Sequence, residues 1–320
     1  MAQQANHPLP DGHRLEEYTI ERQLSLGGFS IVYLASDPAG HQVAIKEYLP
    51  NSLALRAVGQ LRPNITEEHL GAFRYGMKCF FEEGRALARL SHPNVVRVLN
   101  FFRANDTVYM VMEYEKGRTL QEHILKHRDK VSERFIRGLF TRMLNGLREV
   151  HAHKLLHLDL KPSNIYLRSN NSPVLIDFGA ARQTLVQDQP MLKPMYTPGY
   201  ASPEHYGERR DLGPWSDIYS VGASMYACLA GRAPPAADDR QKEECYLPAV
   251  ERWQGRYSEH LLQTIDWCLQ LDHLQRPQSV FALQKALVEQ VPPASLPGNG
   301  DGGESGWLDR LVGIFRTQNK

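Results

Sequence analysis

The sequence is poor in cysteine and has no excess of either charge. Its 320 residues include only four cysteines, and none of them forms a CxxC pair. A disulfide framework or a zinc site is therefore unexpected, and reduced thiols of a cytoplasmic protein are the simpler interpretation. Lysine and arginine number 37 against 36 acidic residues, for a formal net charge of +1. This balance argues against nucleic acid as a partner, so any phosphate binding must come from a local arrangement of side chains.

Long hydrophobic runs are also missing. No apolar run approaches the roughly 20 residues that a membrane helix needs. The first residues, MAQQANHPLPDGHR, lack the apolar segment of a secretory signal, which again leads us to expect a cytoplasmic protein. Hydrophobic residues make up 42% of the chain and charged residues 23%. This is the composition of a globular protein with ample material for a core.

The spacing of apolar residues divides the chain into two parts. From 17 to 112 it favours short strands, interrupted by one amphipathic helix within 73–90. The predicted strands are EYTIERQLS (17–25), SIVYLAS (30–36), HQVAIKEY (41–48), NVVRVLNFF (94–102) and TVYMVMEY (107–114). From 118 onward helical spacing dominates, with Ser132 as a candidate N-cap and an almost wholly apolar helix at 215–230. The sequence therefore predicts an α+β fold.

Both ends of the chain differ from this pattern. Residues 1–16 are polar with prolines and are predicted to form a flexible arm. Residues 291–306 are rich in proline and glycine and are predicted to form a linker. Within 307–316 the apolar side chains share one helical face, which could pack back on the main domain or contact a partner or a membrane surface.

Five separated motifs supply what phosphoryl transfer needs, and the first two are suited to binding phosphates. In LSLGGFSIVYLA (24–35) glycine lets the backbone approach a phosphate, although an ordinary glycine hairpin would look the same. In VAIK, Lys46 ends an apolar strand. A lysine facing inward there is costly unless it meets anions, and Glu83 on the following helix is the best candidate carboxylate.

The other motifs supply catalytic, metal-binding and structural groups. In HLDLKPSN (157–164), Asp159 can accept or orient a hydroxyl proton, Lys161 can neutralise developing phosphate charge, and Asn164 offers an amide oxygen to a divalent cation. In VLIDFGAAR, Asp177 follows an apolar strand and could share a magnesium ion with that amide. The YTPGYASPE and QRP motifs contribute Glu204 and Arg276, which could form a buried ion pair.

In order and spacing, these motifs resemble those of the bacterial members of the eukaryotic-like (Hanks-type) serine/threonine protein kinases. The resemblance spans roughly 18–290. It implies a kinase domain over 17–290, with a small β-rich N-lobe (17–112) carrying one helix, a hinge (113–117) and a larger, mainly helical C-lobe (118–290). It also implies ATP with Mg²⁺, or alternatively Mn²⁺, and transfer of the γ-phosphoryl group to serine or threonine hydroxyls of proteins.

The resemblance also assigns roles to individual residues. It implies that Lys46 contacts the α- and β-phosphates and pairs with Glu83, that Asp159 is the catalytic base, and that Asn164 and Asp177 hold the metal. Thr197 would line the acceptor site, and four residues would have structural roles: His157, Glu204, Asp217 and Arg276. The implied nucleotide site consists of Leu24, Ser25, Gly27, Gly28, Val32, Ala44, Lys46, Glu83, the gatekeeper Met112, and the hinge residues Glu113, Tyr114 and Glu115.

Three departures from the family pattern bear on activity. Ser25 and Ser30 stand where the phosphate loop usually has glycine. Leu158 replaces the arginine that usually precedes the catalytic aspartate and that awaits an activation-loop phosphate, so we expect activity without such phosphorylation. The hydroxyls available between Asp177 and Thr197 are only those of Thr184 and Tyr196. The third departure is an insertion at 47–72, interpreted as a passive cover of the helix rather than a regulatory element.

Two alternatives remain beside an active protein kinase. The serines of the phosphate loop leave room for a weakly active or inactive pseudokinase that serves as a scaffold. A small-molecule kinase of similar fold is disfavoured because such enzymes lack a peptide-accepting segment like YTPGYASPE. By the resemblance alone, phosphothreonine-reading proteins and a cognate phosphatase are expected partners.

Overall fold

The computed structural model describes residues 6–128, 130–178, 196–207 and 211–288. The predicted linker and tail helix, together with Thr184, lie outside these residues. The described N-lobe contains an antiparallel sheet in the order β1-β2-β3-β4-β6-β5. Its elements are β1 (Arg14–Leu15), β2 (Tyr18–Leu26), β3 (Ser30–Ser36), β4 (Gln42–Tyr48), α1 (Glu67–Leu87), β5 (Val98–Ala104) and β6 (Thr107–Glu113).

The C-lobe follows the hinge and is mainly helical. Its small sheet, β7-β8-β9, is antiparallel and lies beside the hinge. The described elements are β7 (Gly117–Thr119), α2 (Leu120–Lys126), α3 (Glu133–Ala152), β8 (Ile165–Arg168), β9 (Pro173–Leu175), α4 (Pro214–Ala230), α5 (Ala237–Lys242), α6 (Ala249–Arg252), α7 (Glu259–Cys268) and α8 (Val280–Val288). The predicted α+β arrangement in two lobes is confirmed.

Local signals explain where several helices begin and which faces they bury. The Ser132 hydroxyl accepts the Phe135 amide at 3.3 Å and so caps α3, as predicted. Every residue from 216 to 229 of α4 is buried, as expected for a helix that is apolar almost all round. Helix α1 begins six residues before the predicted stretch, after Thr66, where Glu67 and Glu68 complement the helix dipole.

The strand predicted at 94–102 begins instead at Val98, because the preceding residues join the two lobes. Val95 forms an isolated bridge with Leu175, and the Val96 amide donates to the Leu175 carbonyl at 2.9 Å. The Asn94 side chain donates to the Pro173 carbonyl at 2.6 Å. Asn94, Val95 and Val96 therefore pair with β9 of the C-lobe, whereas the Arg97 carbonyl already accepts the Glu113 amide of the N-lobe sheet at 3.0 Å.

The prediction of a flexible arm over 1–16 is corrected for residues 6–16. Asn6, Leu9 and Leu15 are each 2% exposed, and residues 14–15 form β1. Leu9 belongs to the main hydrophobic core, and its amide donates to the Tyr33 hydroxyl at 3.0 Å. A polar composition concealed this packing because the buried side chains Asn6, Leu9 and Leu15 are isolated in the sequence and form no periodic pattern.

Candidate active site

A cavity of about 690 Å³ lies between the N-lobe sheet and the β8–β9 region of the C-lobe. Predicted nucleotide-site or metal residues provide much of its lining: Leu24, Ser25, Val32, Ala44, Lys46, Met112, Glu113, Tyr114, Glu115, Asn164 and Asp177. Three predicted residues, Gly27, Gly28 and Glu83, lie outside this lining. Chain segments that are far apart in the sequence therefore face one cleft.

The roof of the cavity follows from strand register. Val32 pairs with Lys46, and Ala44 pairs with Met112, so these side chains point to the same face of the sheet. Side chains alternate along a strand, which turns Glu47 to the opposite face. The lysine therefore reaches the cavity while its neighbour is buried on the other side of the sheet.

Lys46 contacts the carboxylate of Asp177 across the cavity. Its Nζ donates to Asp177 Oδ1 at 2.5 Å, and the lysine is 5% exposed. The Asp177 side chain is 44% exposed, so partial burial in the cleft raises its pKa only in part, and the charge and hydrogen bond of Lys46 hold that pKa well below its ordinary value. Glu83 is 1% exposed on the facing side of α1. The predicted pairing of Lys46 with Glu83 stays a prediction.

Three polar side chains converge on Asp159. The Thr197 hydroxyl donates to Asp159 Oδ1 at 2.9 Å. Lys161 Nζ donates to Asp159 Oδ2 and to the Thr197 hydroxyl oxygen, both at 2.8 Å. Asn164 Nδ2 donates to the Asp159 carbonyl at 2.9 Å and to Oδ2 at 3.1 Å. The short 3₁₀ helix Pro162–Asn164 turns the chain so that this amide faces back to the carboxylate.

A buried carboxylate fixes the backbone just before Asp159. Asp217, in the first turn of α4, accepts the amides of His157 at 2.9 Å and Leu158 at 2.8 Å. His151 Nε2, in the last turn of α3, also donates to it at 2.8 Å. Burial alone would raise the pKa of Asp217, but these hydrogen bonds keep it below the ordinary value.

The described residues contain no group of three or more acidic, histidine or cysteine side chains suited to a metal.

The segment after Thr197 is tied to the same backbone. His205 Nε2 donates to the Leu158 carbonyl at 3.0 Å, and its Nδ1 accepts the Ser202 amide at 3.2 Å. Arg276 donates to both carboxylate oxygens of Glu204 at 2.8 and 3.0 Å. The His205 bond holds the segment at 196–207 against residues 157–164, the predicted catalytic loop. The role of His205 was not predicted, although its place directly after the SPE motif is a usable signal.

The sequence interpretation also missed part of the cavity wall. The lining that was not predicted comprises Arg22, Val96, Gly117, Thr119, Glu122, Ser163, Tyr166 and Ile176. No local pattern indicated Tyr166, because Asn164 lies in the 3₁₀ helix before β8 and strand alternation does not relate the two residues. Arg168, the last residue of β8, donates to both carboxylate oxygens of the hinge residue Glu115 and to the Pro93 carbonyl. These bonds tie the hinge to β8.

The cavity between two lobes and the carboxylate, lysine and threonine beside it would suit a nucleotide with an adjoining hydroxyl group. The family model of the protein kinase domain matches residues 18–288. The chain is 27% identical over 309 residues to serine/threonine-protein kinase PLK4 of Danio rerio, which covers 96% of this chain and 31% of that protein. It is 28% identical over 299 residues to serine/threonine-protein kinase B of Synechocystis, covering 87% of this chain and 49% of that protein.

Solved protein structures are also similar to this chain. The apo form of PpkA-294 superposes with a TM-score of 0.78 at 35% identity, covering 88% of this chain and 99% of that one. The kinase domain of Mycobacterium tuberculosis PknI superposes with a TM-score of 0.65 at 21% identity over 88% and 99% of the two chains, a likeness of fold. The chain therefore belongs to the protein kinase domain family. It spans a third to a half of the length of the two named kinase relatives.

Proposed function

We propose that the chain transfers the γ-phosphoryl group of ATP to serine or threonine hydroxyls of proteins. The observation that carries this proposal is the hydrogen bond from the Thr197 hydroxyl to Asp159 Oδ1 at 2.9 Å, with Lys161 Nζ at 2.8 Å from the Thr197 oxygen. A carboxylate that accepts a hydrogen bond from one hydroxyl can accept it from a substrate hydroxyl at the same place. The two named kinase relatives and the YTPGYASPE segment support a protein substrate.

The proposed chemistry uses side chains already near one another. Asp159 orients the attacking hydroxyl and accepts its proton. Lys161 neutralises negative charge that grows on the transferred group, and Lys46 holds the α- and β-phosphates. The backbone of residues 113–115 binds the adenine edge. Ionised Asp177 attracts the amine of Lys46 into the cavity, which keeps the lysine pointing at the phosphate position.

The residues present fit a divalent metal. Asp177 provides a carboxylate and Asn164 an amide oxygen, which are hard donors of the kind that Mg²⁺ and Mn²⁺ prefer. Two protein ligands suit an ion whose remaining ligands are phosphate oxygens and water. When bound, the ion would offset the charge of the phosphates. The low pKa of Asp177 keeps the carboxylate ionised and ready to bind it at any physiological pH.

Activity is proposed not to require a phosphate on the activation segment. Leu158 is 1% exposed and packs with Leu156 and Leu212. Apolar contacts thus replace the charge that such a phosphate would neutralise, and the His205 bond to the Leu158 carbonyl links the segment to the catalytic loop. Autophosphorylation is proposed as an accompanying activity, since the acceptor site takes serine and threonine hydroxyls.

The proposed setting is the cytoplasm, with protein substrates, phosphothreonine-reading proteins and a cognate phosphatase as partners. The cysteines at 79, 228, 245 and 268 are free thiols, which suits a reducing compartment. None of the helices within the described ranges is both long and apolar enough to cross a bilayer.

The decisive experiment compares wild type with Asp159→Asn in γ-labelled ATP and Mg²⁺, using a generic basic protein as acceptor. We expect Asp159→Asn to lower kcat by about 10²–10⁴-fold while ATP still binds, because only the proton acceptor is lost. Asp239→Asn, an exposed carboxylate of α5, is the matched control and should leave kcat unchanged. If wild type binds ATP but transfers no phosphate to itself or the acceptor, the chain is a pseudokinase with a binding role.

A further inference from the structure

The hairpin turn at 27–30, which joins β2 to β3, is held by residues that follow β4. The Gly27 amide donates to the Ser30 carbonyl at 2.9 Å and closes the turn. The carbonyls of Phe29 and Gly28 accept the amides of Leu49 and Asn51, each at 2.9 Å. The hydrogen bonds between β3 and β4 therefore continue beyond the two strands. Before β3 they reach the turn of the predicted phosphate loop, and after β4 they reach the insertion.

One side chain from the N-terminal segment holds these same residues. Asn6 Nδ2 donates to the Asn51 side-chain oxygen at 2.7 Å, the Ala54 carbonyl at 3.1 Å and the Leu49 carbonyl at 3.3 Å. Asn6 Oδ1 accepts the Arg56 amide at 2.6 Å. Asn6 is 2% exposed, so water cannot replace these bonds. The two residues whose amides bind the turn are thus both bonded to Asn6.

A buried ion pair fixes the far end of this arrangement. Arg56 donates to both carboxylate oxygens of Glu47 at 2.6 and 2.7 Å, and neither side chain is exposed. The hydroxyls of Tyr33 and Tyr109 donate to the same carboxylate, each at 2.7 Å. Arg56 Nε also donates to the His7 carbonyl at 2.8 Å. The pair therefore holds Arg56 against Glu47 of β4 and against the backbone of His7.

We propose that Asn6 is a positioning residue for the phosphate loop: it holds residues 49–51 so that the turn at 27–30 is ordered before ATP binds. This inference rests on the proposed kinase function for the role of the loop. A loop that is already ordered loses less conformational entropy on binding its ligand, so the contribution falls on nucleotide affinity. It also offers a reason why the loop tolerates Ser25 and Ser30, since residues 49–51 of the insertion hold the backbone of the turn by hydrogen bonds. On this inference the insertion is not a passive cover of the helix.

The test is Asn6→Ala, measured in two ways. We expect KM for ATP and the ATP dissociation constant to rise about five- to tenfold, with kcat within about twofold, as loss of one buried hydrogen-bond group implies. Without ATP, hydrogen exchange at the amides of Leu49 and Asn51 should accelerate at least about tenfold relative to the amides of β6. The exchange measurement does not depend on catalysis, so it stands even if the chain transfers no phosphate.

Tyr109→Phe is the matched control, because it removes a buried hydroxyl from the same network without touching residues 49–51. It should lower the melting temperature but leave KM and exchange at 49 and 51 unchanged. Asn51→Ala removes the same 2.7 Å bond between Asn6 and Asn51 by changing the less buried partner. It is the variant to measure if Asn6→Ala does not fold. The double variant should raise KM no further than Asn6→Ala alone. Equal changes in Asn6→Ala and Tyr109→Phe would overturn the inference.

Discussion

Leu158 occupies a backbone position that suits few residues. Its φ is +61°, and its amide and carbonyl are held by Asp217 and His205 respectively. The loop can keep this left-handed conformation because both backbone groups are bonded in place. The side chain is 1% exposed and lies in an apolar contact with Leu156 and Leu212.

Leu158→Arg should lose activity, because it puts a charge where the described surroundings are apolar. We expect a loss of about 3 kcal/mol or more in the free energy of unfolding and at least about a tenfold lower kcat, in protein whose intact mass shows no phosphate. Urea unfolding and steady-state kinetics provide the two measurements. Leu158→Met, of similar volume and uncharged, should retain both properties. An unphosphorylated Leu158→Arg protein with full activity would show that leucine is not what removes the need for a phosphate.

Sequence reasoning at this scale found residues whose chemistry restricts their type and missed those defined by distant contacts. Asp159, Lys161 and Asn164 could be predicted because phosphoryl transfer needs a carboxylate, an amine and an amide at that spacing. Asn6 bonds to residues 43 to 50 positions away, and no local pattern indicates such partners. His205 likewise bonds a carbonyl 47 positions earlier.

Helix α1 packs against the end of β4 through a glycine. A Cβ added at Gly76 would overlap the hydroxyl of Tyr48 and lie 2.6 Å from its ring carbon Cζ. The Tyr48 ring lies between Phe73 and Phe80 of the same helix, with ring centroids 5.3 and 5.8 Å away. The close approach sets the distance between α1, which carries Glu83, and the strand that carries Lys46.

Gly76→Ala and Gly138→Ala should therefore change stability in opposite directions. Alanine favours a helix over glycine by up to about 1 kcal/mol, and Gly138 is exposed on α3 with nothing within 4 Å of an added Cβ. At Gly76 the overlap with Tyr48 should reverse the sign, with a loss of about 1–3 kcal/mol. Urea unfolding of both variants measures the difference. If Gly76→Ala is as stable as Gly138→Ala, the packing of Tyr48 does not constrain α1.

Element boundaries were harder to predict than element types. The strands and helices of both lobes follow from apolar spacing, since the buried faces are regular. The start of α1 after Thr66 and the pairing of residues 94–96 with β9 do not follow from apolar spacing, because they depend on the insertion and on the other lobe. Periodicity carries no information about contacts of that kind.

At the scale of the whole molecule, buried histidines lie at the contact between the catalytic loop and the segment at 196–207. His157 is fully buried, and His205 is 7% exposed. Burial lowers the pKa of each below the ordinary value near 6.5. Protonation of His205 would also break its Nδ1 bond from the Ser202 amide. Burial shifts the pKa of His92 in the same direction and lowers the pKa of His123 to about 4.

The sign of the pH dependence follows from these shifts. Below pH 6.5 the unfolded chain binds protons that the folded chain excludes, so the free energy of unfolding falls as pH falls toward the folded pKa values. The buried carboxylates Asp217 and Glu204 have lowered pKa values, and their stabilisation is lost only below their ordinary pKa, near 4. The interval from pH 6.5 to 5 therefore reports on the histidines.

We expect the free energy of unfolding to be level from pH 8 to 7 and then to fall by up to about 1.4 kcal/mol per pH unit for each buried histidine. Urea titrations at pH 7.5, 6.5 and 5.5 measure this slope. His205→Gln, whose amide can still donate to the Leu158 carbonyl but does not titrate, should reduce the slope by one proton equivalent while kcat at pH 7.5 is largely kept. A wild-type stability that does not change between pH 7.5 and 5.5 would mean that the folded and unfolded chains take up equal numbers of protons, so burial does not lower the pKa of these histidines.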